Sequence, residues 1–131
     1  MGRTHNVCYE CGMLATELHH IMFRSQMKQL ENCKLNFVYL CPECHRGTNG
    51  VHGKNGHKLD KKYKLMFQNK LEILFSNKLL TKEDIKETLG INDKPTDSLC
   101  KLIKSEKGMF CREDVIRALM NGKLILQEEE K

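Results

Sequence analysis

Tryptophan is absent from this chain, and five Phe and three Tyr are all the aromatic rings it has in 131 residues. A small module so poor in aromatics buries little apolar area, so a metal staple is expected to supplement its core. No apolar run is long enough to span a bilayer as a helix. A disulfide scaffold is disfavoured as well. The seven cysteines are odd in number, four of them stand in C-x-x-C pairs, and no leader-like stretch precedes them. Lysine is abundant, and the chain reads as a cytoplasmic protein whose thiols stay reduced. No internal repeat is evident, and no Ser-His or Cys-His nucleophile motif stands out.

What is present is concentrated between Cys8 and His52. Two pairs, Cys8-Tyr9-Glu10-Cys11 and Cys41-Pro42-Glu43-Cys44, supply four thiols that read as one tetrahedral Zn2+ site. The 29 residues between the pairs exceed the usual ribbon spacing, which leaves room for two strands and a loop. Leu18-His19-His20-Ile21 lies in that gap, His45 follows Cys44, and His52 follows soon after. Cys33, Cys100 and Cys111 lie outside the pairs and read as small buried hydrophobes.

Net charge is +5, and it is unevenly spread. Residues 1–77 hold 11 Lys and Arg against 6 Asp and Glu, whereas residues 78–131 hold 11 of each. The positive field belongs to the half with the cysteine pairs and favours a polyanionic partner there.

Along the chain, residues 1–7 read as a frayed basic lead-in containing the surface histidine His5. Apolar residues at 14, 18, 21 and 23 predict a strand within Leu14–Phe23, and Phe37-Val38-Tyr39 predicts a second over Leu35–Leu40. Arg24–Lys34 between them is polar and basic, a loop or short helix long enough to arch over a substrate. Pro42 suits the first turn of a helix. Gly47, Gly50, Gly53 and Gly56 confine that helix to one or two turns, followed by a loop holding His52 and His57. Leu59, Tyr63, Met66, Phe67, Leu71, Leu74 and Phe75 repeat at helical spacing, giving an amphipathic helix to about Asn77. Thr81 caps a further helix closed by Gly90. A second, capped by Thr96, is predicted to run through Leu99, Leu102 and Ile103 to about Gly108, and a third covers about Arg112–Met120.

The knuckle, the His-His strand, the strand carrying Asn36 and the Cys-x-x-Cys-His at a helix start together resemble the HNH (ββα-metal) endonuclease family. The likeness is to its zinc-stapled form, with a Gly-rich tail like that of phage-borne variants, and covers roughly the first 57 residues. It implies a metal-dependent hydrolysis of DNA phosphodiesters, double-stranded or branched, leaving a 5′-phosphate and a 3′-hydroxyl in a bacterial host cell. By the family pattern, His19 and His45 ligate a catalytic divalent cation, Mg2+ or Mn2+, and His20 is the general base. Asn36 holds the loop that presents His20. The third ligand falls to His52, preferred because imidazole is the better donor, or to Asn49. Arg24, Lys28, Arg46 and Lys54 are the expected DNA contacts.

Leu79-Leu80-Thr81-Lys82-Glu83-Asp84-Ile85 and Arg112-Glu113-Asp114-Val115 resemble, more loosely, the helix-turn-helix units of excisionase-like proteins. That likeness implies a contact with DNA or with a protein partner. The expected fold class is α+β: a small zinc-bound ββα-metal (HNH- or treble-clef-like) module over 1–77, a helical bundle over 78–126, and an acidic tail over 127–131. The rival reading is a non-catalytic zinc module that binds DNA or a protein.

Overall fold

The computed structural model describes residues 7–126; the lead-in 1–6 with His5, and the acidic tail 127–131, lie outside the described residues. The fold is mixed α+β, and its contacts divide it into two units. Unit 1 comprises residues 1–21 and 37–64, and unit 2 comprises residues 22–36 and 65–131. This differs from the division at residue 77 read from charge, because the segment between the two predicted strands belongs with the C-terminal half. Among the described residues, no helix is long and apolar enough to cross a membrane.

Unit 1 is built on an antiparallel hairpin of β1 (Glu17–His20) and β2 (Phe37–Leu40), with Glu17 opposite Leu40 and His20 opposite Phe37. Alternation decides the faces. Val38 and Leu40 are buried while Phe37 and Tyr39 are half-buried, and on β1 it is His19 that is buried. Helix α1 (Pro42–Arg46) follows directly, with Pro42 in its first turn and the Cys41 sulfur accepting from the Cys44 N–H at 3.4 Å. A glycine appears at every third residue from 47 to 56, and each of Gly50, Gly53 and Gly56 donates its N–H to the carbonyl three residues back. The turns stack so closely that a Cβ on Gly53 would lie 1.8 Å from the Gly47 oxygen, and one on Gly56 1.7 Å from the Gly50 oxygen. Only glycine fits at those two positions.

Helix α2 (His57–Leu74) begins in unit 1 and continues into unit 2. In unit 1 its Tyr63 is fully buried and donates its hydroxyl to Glu10 Oε1 at 2.7 Å, tying the helix to the first cysteine knuckle.

In unit 2, the segment 22–36 is packed rather than an open arch. It forms 3-10 turns at Lys28–Leu30 and Lys34–Asn36, and Met27, Leu30 and Cys33 are buried. The Cys33 thiol donates to the Leu89 carbonyl at 3.2 Å, and Gln29 donates to Ser98 Oγ at 2.9 Å. The unit continues with β3 (Leu79–Thr81), α3 (Lys82–Leu89), α4 (Asp93–Cys100), β4 (Ser105–Glu106), β5 (Met109–Cys111) and α5 (Arg112–Leu119). Thr81 and Asp84 form a reciprocal capping box, and Gly90 ends α3 in the left-handed region at φ 66°. Such a cap contributes about 1 kcal/mol.

Four expectations are corrected here. The second unit is not helical throughout, because β3, β5 and β4 form a three-stranded antiparallel sheet. The helix predicted as far as Gly108 stops at Cys100: the chain turns at Lys107 and Gly108, both at positive φ, to make the β4–β5 hairpin. Thr96 is not its cap. It lies inside α4, its hydroxyl donating to the carbonyl of Asn92, which is the residue at the cap position. Cys33 is buried as expected, but Cys100 is half-buried and Cys111 exposed.

Candidate metal centre

Among the described residues, two clusters of metal-ligating side chains lie in unit 1. In the first, the sulfurs of Cys8, Cys11, Cys41 and Cys44 all fall within 4.8 Å of one another. Four thiolates at about 2.3 Å from one Zn2+ in a tetrahedron stand about 3.8 Å apart, and Cys11 Sγ and Cys41 Sγ are 3.7 Å apart. The donor set and its spacing therefore fit a structural zinc. Backbone geometry prepares it for charge. Burial pushes the Cys8 thiol up, but the N–H groups of Cys11, Cys41 and Glu10 outweigh burial and hold it down at about 6. Burial and the neighbouring thiols push Cys44 well up. Four thiols this close cannot all ionise without a cation among them.

The second cluster is His19, His45 and His52, one ligand nitrogen from each lying within 4.8 Å of the others. The three ring centroids are 4.9 to 5.1 Å apart. Each residue comes from a different piece of local structure. His19 is on the buried face of β1, and His45 is in α1, directly after the zinc-ligand candidate Cys44. His52 is in the glycine turns, where its N–H donates to the His45 carbonyl at 2.9 Å. Burial, then the charges of His45, His52, His20 and Lys64, push His19 down to about 3. It is therefore a neutral imidazole at physiological pH, the form that ligates. His52 is also lowered, first by burial and then by His45.

The tautomer of His45 follows from its neighbour. Its Nδ1 lies 2.7 Å from Glu17 Oε1. Arg46, then His45, hold the Glu17 carboxyl down at about 2, so it is ionised and can only accept. Nδ1 therefore carries the hydrogen, and Nε2 is left for the triad. Arg46 completes the arrangement by donating Nε to Glu17 Oε1 at 2.9 Å and Nη2 to Oε2. Carboxylate-oriented histidines are the usual outer shell of metal sites.

The remaining predicted residues fall as follows. His20 is the last residue of β1 and points away from the face of His19. Its half-buried ring stands edge-on to Phe37 with centroids 5.2 Å apart. Asn36, fully buried, accepts from the Met22 N–H at 2.7 Å and donates to the Met22 carbonyl at 3.0 Å. Asn49 is not in the triad; its Oδ1 accepts from Asn55 at 3.0 Å. Arg24 pairs loosely with Glu31 at 3.8 Å, and Lys28 and Lys54 are exposed. Arg46 is exposed but engaged with Glu17 rather than held out as a separate DNA contact.

Glu17 escaped the sequence reading, although the signal was present. It stands two residues before His19 and so shares a strand face with it. Compared with models of protein families, with curated proteins and with solved structures, this chain matches none.

Proposed function

We propose that this protein is a zinc-stapled, metal-dependent endonuclease of the HNH (ββα-metal) type that hydrolyses DNA phosphodiesters. The observation that carries the reading is the convergence of His19, His45 and His52 from three separate segments, beside a strand that ends in His20. Three imidazole donors suit a first-row transition metal better than Mg2+, which seeks oxygen ligands. Of Mg2+ and Mn2+, the donor set therefore favours Mn2+. When bound, such a cation neutralises charge on the phosphate and stabilises the leaving 3′ oxygen.

The chain's own groups do the rest. His20 accepts the proton of the attacking water, a task suited to imidazole, whose unperturbed pKa is about 6.5. Asn36 grips both backbone groups of Met22, two residues beyond His20, and so fixes the end of the strand that presents the base. Glu17, itself held by Arg46, keeps His45 in the ligating tautomer. Arg24, Lys28 and Lys54 supply positive charge for the DNA backbone. Residues 78–126 place the nuclease on its target by contact with DNA or with a protein partner. Helix α3, the turn after Gly90 and α4, followed by the β4–β5 hairpin, support that role. The protein acts in the cytoplasm of a bacterial host.

One observation favours the rival, non-catalytic reading: the His20 ring lies against Phe37 rather than within the triad. Supercoiled plasmid separates the two. Zinc-loaded protein with Mn2+ is expected to nick or linearise it, and EDTA to stop the reaction. Tight DNA binding with no cutting at any Mn2+ concentration would favour the binding module.

A further inference from the structure

Tyr63 in α2 is fully buried, yet it carries a hydroxyl. Filling the core does not need one: Phe67, one helical turn on, is just as buried without it. A buried hydroxyl costs free energy unless it is bonded. Its partner is Glu10 Oε1 at 2.7 Å, and Glu10 lies between Cys8 and Cys11. Lys62 Nζ holds the same carboxylate, at 3.3 Å from Oε1 and 3.4 Å from Oε2. The other residue between those cysteines is Tyr9, whose ring stands edge-on to that of Tyr63 with centroids 5.9 Å apart. Tyr63 thus engages both residues of the first knuckle.

The same ring meets the histidine triad. Its centroid is 6.3 Å from that of His19, with the planes tilted by 47°, a separation within the range of paired aromatic rings. His19 is 1 % exposed, so the side chains packed around it fix where its ring points. The second cysteine pair reaches the triad through main chain. The Val51 N–H donates to the Cys44 carbonyl and the His52 N–H to the His45 carbonyl, both at 2.9 Å. Those two bonds register His52 against α1, which carries Cys44 and His45. Each cysteine pair therefore has its own link to the triad: the second to His45 and His52 by backbone, the first to His19 by the side chain of Tyr63.

We propose that Tyr63 is a positioning residue for the triad, carrying the geometry of the Cys8–Cys11 knuckle to His19 through its hydroxyl on Glu10 and its ring beside the imidazole. The inference rests on the reading of the triad as a cation site and adds to it a dependence on the four-cysteine site. A metal that fixes Cys8 and Cys11 also fixes Glu10 between them, and through Tyr63 it narrows the orientations open to His19.

Co2+ is the probe, added to full-length protein carrying one Zn2+ in the cysteine site as checked by native mass spectrometry. Its binding is read from the visible absorption of imidazole-ligated cobalt. Tyr63→Phe keeps the ring and loses only the hydroxyl. It is expected to weaken Co2+ binding about 2–30-fold, the span for changes in side chains that touch neither metal, with zinc content unchanged. Glu10→Ala should weaken it by the same factor, and the double variant by no more than either alone. Glu10→Gln keeps an oxygen that accepts from the hydroxyl and should bind Co2+ as the wild type does. A tyrosine that only fills the core would move the urea midpoint and leave Co2+ affinity alone. Unchanged affinity in Tyr63→Phe, losses that multiply in the double variant, or Glu10→Gln as weak as Glu10→Ala overturns the proposal. Should Tyr63→Phe fail to fold, Glu10→Ala against Glu10→Gln decides on the same readout. If the wild-type protein takes up no Co2+ beyond the cysteine site, the triad reading fails and this inference with it, a result distinct from any variant's behaviour.

Discussion

Replacing Asn36 by alanine removes the one side chain that satisfies both backbone groups of Met22. Asn36 is fully buried and Met22 is 2 % exposed, so water cannot step in without opening the segment. The two bonds, at 2.7 and 3.0 Å, contribute about 1 kcal/mol each net. Leaving a buried donor and a buried acceptor unpaired replaces that gain with a cost of about 1–3 kcal/mol for each. Partial relaxation lowers the sum, and a loss of about 3–4 kcal/mol is expected. Urea unfolding of the zinc-loaded protein, followed by circular dichroism, measures it as a lower midpoint at unchanged slope. Asn36→Asp sharpens the test. Its Oδ1 can still accept from the Met22 N–H, but burial would raise the new carboxyl's pKa in the folded state above its unfolded value of about 3.9. A raised folded pKa means that stability is intact below the unfolded pKa and is lost as pH rises through the folded one. Asn36→Asp should therefore approach wild-type stability only in acid. An Asn36→Ala midpoint equal to wild type, or an Asn36→Asp variant indifferent to pH, would refute the clamp.

The four-cysteine site should carry one Zn2+ after purification without added metal, seen by native mass spectrometry. Stripping it should unfold unit 1, since zinc binding in such peptides is worth about 10–16 kcal/mol; disulfides among the four, or a folded metal-free protein, would end that idea. Glu17→Gln should remove an acid-sensitive contribution to stability. The Glu17 carboxyl is held near 2 by Arg46 and His45, so its stabilisation is complete above the unfolded pKa and is lost as pH falls from about 4.5 towards 2. A wild-type stability profile that is flat across that window, or identical in the variant, would contradict it.

Much of unit 1 was legible because its signals are short-range and chemical. The C-x-x-C pairs, Pro42 at a helix start and a glycine at every third residue each constrain the backbone locally. β1 and β2 fall inside the predicted strands, shortened by a few residues at their ends. Unit 2 was less legible because its structure depends on distant pairing. Ser105–Cys111 has too few residues for a period to show, and only pairing with Leu79–Thr81 makes it a sheet. Leu99 and Ile103 are both buried, so their spacing suggested one helix although the chain leaves α4 between them. The segment 22–36 looked polar, and the burial of Met27, Leu30 and Cys33 shows only in the fold, where Cys33 bonds the Leu89 carbonyl and Gln29 bonds Ser98. In the candidate site, the histidines could be named from sequence. Sequence places Glu17 on the strand face of His19, but only the fold shows that its carboxylate meets His45 Nδ1 and sets the tautomer.

The most direct test of the proposed reaction compares wild type and His20→Ala on supercoiled plasmid, at fixed ionic strength and saturating Mn2+. Metal binding and DNA affinity are measured on the same preparations. His20 lies outside the triad, so its loss should leave zinc, Mn2+ and DNA binding nearly unchanged and lower the cleavage rate by about 10²–10⁴-fold, the usual contribution of a general base. His45→Ala should instead lose activity through weakened Mn2+ binding and recover part of it at high Mn2+. Cutting by His20→Ala at the wild-type rate would contradict the assignment of the base.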